Sequence, residues 1–399
     1  MFSRSRDQLA QELKLMAEVA LYRANLLNTT ELATLQAFTI YIGAIRVLDP
    51  SQRAWSMIAL LVRLARNLGI HRELAGEKIF IAELRRRLWY SIVLLDCYAS
   101  SDRGTEMAIH PHTFDRQLPH NANDSDFDEN TKIIVDREGE ITESTMSLIT
   151  QEGSIAALQL FHDETCRGGE TWEERLEIAY TFQRQIQSKY LQYCENSNPL
   201  HHQLIAAGTA ASKGLILRAI RPIQHSSSST GPPPRVDSPW VMQLAVEILR
   251  QQHELWEMFL QTRGRRMPWV PWHAMAVALA GICSMEVNEL TNEAWELCEM
   301  AMRRYRNEIA DTENGMLWRP IQKIYGKAKS YRESQKVKGV GGMAWSKNSD
   351  VRNEVTIEYY STVLDAVWSE QGVNDESWLD WEGMLRDMDE MKACDMLWM

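Results

Sequence analysis

Residues 82–104, AELRRRLWYSIVLLDCYASSDRG, limit the fold more than any other stretch of the chain. Leu84, Leu88, Ile92 and Leu95 recur at steps of four, four and three, the spacing of one face of an α-helix. Glu83 stands four residues before Arg87, the favourable order for a helical ion pair. Gly104 is a stop signal, and a polar loop carrying Pro111 and Pro119 follows it. Asp96 is out of place. It shares a face with Arg85, Trp89 and Ile92, and a lone buried carboxylate costs several kcal/mol, so a cationic partner is expected.

The preceding segment, AWSMIALLVRLARNLGIHRE (54–73), repeats the pattern. Asp49 is the expected N-cap, with Pro50 at the first helical position. Trp55, Ile58, Ala59, Val62 and Ala65 form the expected apolar stripe, and Gly69 closes the helix in a left-handed conformation. Two such helices joined by the short link around His71 and Arg72 make a helical hairpin.

The same period runs through the rest. Helices are expected over 9–27, with Leu9, Leu13, Met16, Ala20 and Tyr22 apolar, and over 30–47. Further helices are expected at 144–166, 172–194, 200–220, 239–261, 272–285, 292–309, 316–331 and 356–368. No alternating strand persists, and IVDREGEIT (134–142) is read as a loop. The fold class is all-α, built from antiparallel helical hairpins. Half of the twelve prolines fall between Pro199 and Pro239, and SSSSTGPPPRVDSP marks 226–239 as a linker or exposed loop. The expected layout is a helical part over 1–225, that linker, and a second helical part over 240–332. A flexible connector (333–355) and an acidic C-terminal segment (356–399) complete it.

Composition excludes several function classes. The net charge of −11 is the wrong sign for holding nucleic acid by bulk electrostatics. None of the six cysteines is two residues from another, so paired-cysteine zinc spacing is absent, and their scatter suits a reducing compartment. No secretory or membrane-spanning stretch occurs. The chain has no G-x-S-x-G, P-loop or H-E-x-x-H pattern, and Gly339-Val-Gly341-Gly-Met-Ala344 lacks the strand that a dinucleotide site needs. His201, His202 and His273 have no liganding cluster beside them. The acidic loop 121–130 reads as a solvated turn, because it lacks the glycine and terminal glutamate of a calcium loop. No catalytic, cofactor-binding or metal-ligating residue is assigned. Arg85, Arg86 and Arg87 point around the helix in different directions, so ion pairing is preferred to nucleic-acid contact. In the tail, Trp378, Trp381, Leu385 and Met388 recur at three, four and three among acidic residues. They either form an amphipathic helix on a partner or dock on their own domain.

The ordered set Arg63–Arg72, Glu83–Trp89, Asp96, Gly104, Ile109, Leu118, Pro119, Asn121, Asp124 and Asp126 resembles the middle homology region of fungal zinc-cluster transcription factors. Trp55, Arg63, Gly69, His71, Arg72, Glu83, Arg85, Arg86, Arg87, Trp89, Asp96, Gly104, Pro119, Asn121 and Asp124 are its signature positions here. Glu106 departs from it, since many relatives have proline after the glycine. The resemblance extends from about Leu32 to Arg332. It implies a nuclear transcriptional regulator of a metabolic or biosynthetic gene set, acting with other regulators or coactivators and commonly as a homodimer. It also implies that DNA and two zinc ions are held by an N-terminal six-cysteine cluster. This chain begins inside the helical region without that cluster, so DNA is expected to be reached only through a missing or partner-supplied domain. The alternative is a DNA-free helical module that binds a metabolite or sequesters a partner regulator.

Overall fold

The structure, a computed structural model, describes residues 5–48, 52–103, 105–166, 172–195, 197–220, 236–261, 270–305 and 318–339. Among them are eleven α-helices and no strand. The first four are α1 (Arg6–Arg23), α2 (Leu32–Leu48), α3 (Arg53–Asn67) and α4 (Ile79–Arg103). After a long loop come α5 (Thr145–Cys166), α6 (Trp172–Lys189) and α7 (Pro199–Ile220). The last four are α8 (Pro239–Gln261), α9 (Trp272–Ser284), α10 (Glu289–Tyr305) and α11 (Trp318–Gly339).

Local chemistry sets many of these boundaries. Ser5 caps α1 by accepting from the Gln8 amide, while the Gln8 side chain accepts from the Ser5 amide. Pro199 opens α7 where its missing N–H costs nothing, and Asn198 accepts from the Leu200 amide. Asn288 and Thr291 exchange side-chain-to-amide bonds across the start of α10. Gly69 ends the α3 region with φ +67°. Its N–H reaches the Arg66 carbonyl, and the Ile70 N–H reaches that of Ala65, the paired bonds of a Schellman motif.

From α1 to α10 neighbouring helices pack in chain order, with α7 also lying against α5 and α8 against α10, while α11 packs against α9. One apolar core runs from Leu21 to Ala328. α4 lies deep in the first half, against α2, α3 and α5. Trp89, Ile92 and Val93 on it are fully buried, and truncating a tryptophan so placed costs about 3–5 kcal/mol. Arg46 of α2 meets Asp102 of α4 at 2.6 Å in a buried ion pair, with Tyr98 under the guanidinium at 5.0 Å.

Several expectations need correction. α3 begins at Arg53 with Gln52 before it and no side-chain cap; Asp49 and Pro50 lie outside the described residues. Its buried face is Ala54, Ile58, Leu61, Val62, Leu64 and Ala65, whereas Trp55 and Ala59 are exposed. Ile58, Val62 and Ala65 of the expected stripe are buried, and α3 packs against α2 and α4. On α1 the packed side carries Ala17 and Leu21, while Leu13, Met16, Ala20 and Tyr22 are exposed. Apolar residues lie on both sides of that helix, so periodicity alone could not say which side would pack. α6 stops at Lys189, and Leu191–Tyr193 form a separate short 3-10 turn. α11 runs to Gly339 through ESQKVK, a run of mostly straight-chain residues that favour helix. Residues 226–235 and 340–399 lie outside the described residues, including Trp378, Trp381, Leu385 and Met388.

Candidate functional site

The signature positions converge where the α3–α4 hairpin meets the loop over residues 105–144. The loop holds its shape through hydrogen bonds, as a long structureless connection inside a packed domain must. Asn121 is its hub. Its side-chain N–H groups donate to the carbonyls of Arg137 (2.9 Å) and Glu140 (3.0 Å), and its Oδ1 accepts from the Thr142 hydroxyl at 2.7 Å. Pro119 is buried just before it. Asp126 takes both ends of the Arg137 guanidinium at 2.7 Å, which holds its carboxyl below the usual carboxylate range. The acidic loop is therefore a folded surface turn.

Three consecutive arginines of α4 each find separate carboxylates. Arg85 pairs with Glu77 at 3.0 Å, and Arg86 with Glu73 at 2.7 Å. Arg87 meets both Glu83 at 3.0 Å and Asp124 at 2.6 Å, and lies over the Phe127 ring. Glu83 has no exposed surface. It also accepts from the His120 ring nitrogen at 2.8 Å and from the His120 amide at 3.3 Å. Burial pushes the Glu83 carboxyl up, and the His120 and Arg87 bonds more than offset this, so it titrates below its ordinary range.

Arg116 completes the network from the loop side. It is buried, donates to the Ile70 carbonyl at 2.9 Å, and reaches Glu73 at 2.9 Å and Glu77 at 3.0 Å. Tyr90 donates its hydroxyl to the Arg116 carbonyl at 2.7 Å. Trp89 packs against Phe114 at 5.4 Å and His71 at 5.8 Å. Arg72 reaches Asp115 at 3.3 Å at the exposed edge.

Asp96 overturns the expected cation. Its oxygens accept from the backbone N–H of Ile109 at 2.8 Å and of Ala108 at 3.1 Å, with the Ser100 hydroxyl at 3.5 Å. Backbone donors serve where a cation was expected. Burial outweighs them, and the Asp96 carboxyl is pushed up to about 6.

Thirteen of the fifteen signature positions thus belong to, or border, one scaffold. Arg63 does not join it and lies exposed on α3, and Gly104 lies outside the described residues. Trp55 reaches the loop through its indole N–H, which donates to the Thr105 hydroxyl at 3.1 Å. Glu73, Glu77, Arg116 and His120 were missed in the sequence. Glu73 and Glu77 had one available signal, their spacing of four ahead of the arginine run; nothing local pointed to Arg116. The paired charges fix shape. Among the described residues no group of three His, Cys, Asp or Glu side chains could hold a metal ion, and no helix is long and apolar enough to cross a membrane. Cys97 and Cys298 are buried thiols pushed up to about 11 and about 12 by that burial, a setting that suppresses thiolate chemistry.

The family model described as "Fungal specific transcription factor domain" matches residues 3–198. "C6 finger domain transcription factor nscR" of Aspergillus fumigatus is 31% identical, over 82% of this chain and 44% of its own length. "C6 finger domain transcription factor adaR" of Aspergillus niger is 29% identical, over 79% of this chain and 43% of its own. An nscR of Arthroderma benhamiae is 28% identical, over 79% and 45% respectively. The chain therefore spans less than half the length of these relatives. No solved structure matches it.

Proposed function

Because the chain belongs to the fungal-specific transcription factor family, we propose that it is the helical regulatory part of a transcriptional regulator, acting in the nucleus on a metabolic or biosynthetic gene set. The observation that carries this reading is the similarity to C6 finger transcription factors along about four-fifths of the chain. The signature network supports a role in recognition and regulation, since its charges are spent on one another and no reaction is assigned to it. The chain is not an enzyme in this reading.

DNA contact falls to a separate six-cysteine domain, in the same polypeptide or on a partner, and zinc enters only through that domain. The charge of −11 and the engagement of Arg85, Arg86 and Arg87 with carboxylates support keeping these helices off DNA. Other regulators or coactivators are the partners. The acidic segment 356–399, with Trp378, Trp381, Leu385 and Met388, is the stretch of sequence that would bind them.

The test is a reporter assay with the full chain fused to a foreign DNA-binding domain. Activation that is lost when 356–399 is deleted is the expected result. A silent full-length fusion overturns the activator reading. In a gel shift, the unfused chain is expected to show no sequence-selective promoter binding.

A further inference from the structure

The long loop between α4 and α5 turns two large apolar side chains to solvent. Ile133 is 73% exposed and Val135 71%, while Ile134 between them is 9% exposed. Outward, inward, outward over consecutive residues is the alternation of an extended chain, and no helix or turn hydrogen bond closes within 133–135. A connecting loop ordinarily carries small polar residues at its outward positions.

The backbone there is equally unengaged. Among the described residues the N–H and C=O groups of Ile133, Ile134 and Val135 have no hydrogen-bond partner. Both ends of the segment are nevertheless tied down. On one side the Thr131 N–H donates to the Asp128 carbonyl at 3.1 Å, and the Asp128 N–H to the Thr131 hydroxyl at 2.8 Å. On the other, the Asp136 carboxylate accepts from the Asn121 N–H at 2.6 Å, and the Arg137 N–H donates to the Asn121 carbonyl at 2.9 Å. Anchors at each end and the buried Ile134 between them hold the segment in place, with its own donors and acceptors open. An extended peptide adds to such a segment as a strand, held by main-chain bonds, with alternate side chains meeting on one face. Because the segment is already ordered, less conformational entropy is lost on pairing.

Charge identifies the occupant. Residues 124–140 carry seven carboxylates against two cations, Lys132 and Arg137, and Arg137 is engaged by Asp126 and Glu140. Glu129 and Glu138 bracket the segment, are exposed, and make no ion pair among the described residues. A second copy of this loop would bring like charges together, and so would the acidic segment 356–399. A strand with lysine or arginine beyond each end of its apolar stretch meets the opposite sign.

We propose that residues 132–136 are a strand-addition site for an extended segment of a partner protein, one with apolar side chains at alternate positions and basic residues flanking them. The proposal stands apart from the transcriptional reading, because it is read by binding and not by gene activity.

Fluorescence anisotropy of a labelled, end-blocked peptide, Lys-Val-Thr-Val-Thr-Val-Lys, titrated with the 399-residue chain tests it. The expected result is saturable binding below about 1 mM chain. Ile133→Ser with Val135→Ser weakens it about tenfold or more by removing the apolar contact. Glu129→Lys with Glu138→Lys weakens it about three- to tenfold, and less so in high salt. The same peptide methylated on its five central amides keeps charge and side chains but has no donors there, and is expected not to bind. All four substituted positions are exposed, and unchanged thermal unfolding checks that each variant is folded. Absence of binding overturns the proposal. Equal binding of the methylated peptide, or binding indifferent to Ile133→Ser/Val135→Ser, overturns it as attraction by charge alone. Self-association of the chain that those serines abolish, with no peptide bound, overturns it in favour of a second copy.

Discussion

The Asp96 carboxylate on α4 accepts the backbone N–H groups of Ile109 and Ala108, at 2.8 and 3.1 Å, and so ties the start of the long loop to that helix. A charge is held inside the protein by backbone dipoles. Its ionised form is still disfavoured, and the group titrates at about 6 in the fold, against 3.8 for the ordinary carboxyl. The sign follows. A raised folded pKa adds stability that is complete below about 3.8 and lost as pH rises through about 6. The stability of wild type minus that of Asp96→Ala is therefore expected to grow as pH falls from 7 to 4, by up to about 3 kcal/mol. Urea denaturation of the two proteins at a series of pH values measures this. A flat difference would sink it.

Glu83 has the opposite sign. Its folded pKa lies below the ordinary 4.5, so its contribution is present above that value and lost as pH falls through the folded one. Glu83→Ala leaves the Arg87 and His120 donors without their buried acceptor, and is expected to cost about 3–5 kcal/mol at pH 7. Arg63→Ala, on an exposed position of the same hairpin, is expected to stay within about 0.5 kcal/mol of wild type. The contrast is read from denaturation midpoints at equal slope.

Arg116 is expected not to tolerate lysine. It donates to the Ile70 carbonyl while reaching Glu73 and Glu77. A single ammonium lacks the fork that serves all three positions. Arg116→Lys should cost more than about 1 kcal/mol, and Arg116→Met about 3–5 kcal/mol, since the methionine leaves two carboxylates facing each other without their shared cation. Amide exchange at residues 70–77 and 115–117 should accelerate in both. Unchanged exchange there would show that the guanidinium does not hold the loop.

Two glycines separate backbone strain from packing. At Gly69 an added Cβ meets nothing within 4 Å, but φ is +67°; Gly69→Ala is expected to cost only the left-handed backbone term, about 1–2 kcal/mol. At Gly281 the added Cβ would lie 2.8 Å from the Met242 sulfur and 3.0 Å from the Val236 carbonyl oxygen. Met242 can yield and the carbonyl cannot without moving the turn before α8. Gly281→Ala is therefore expected to cost more than Gly69→Ala, by thermal unfolding of each.

The sequence by itself determined that this chain is helical, where Gly69 stops a helix, and that Arg85, Arg86 and Arg87 would point in different directions and favour ion pairs. Those properties depend on neighbours three and four residues away, and spacing records them. Only the tertiary structure decided which partners were taken. The Arg116 bridge to Glu73 and Glu77 spans some forty residues, and the amides that hold Asp96 carry no side-chain identity to read. It also decided that Trp55 turns outward and which side of α1 is packed, because an apolar pattern states what can be buried but not which surface arrives to bury it.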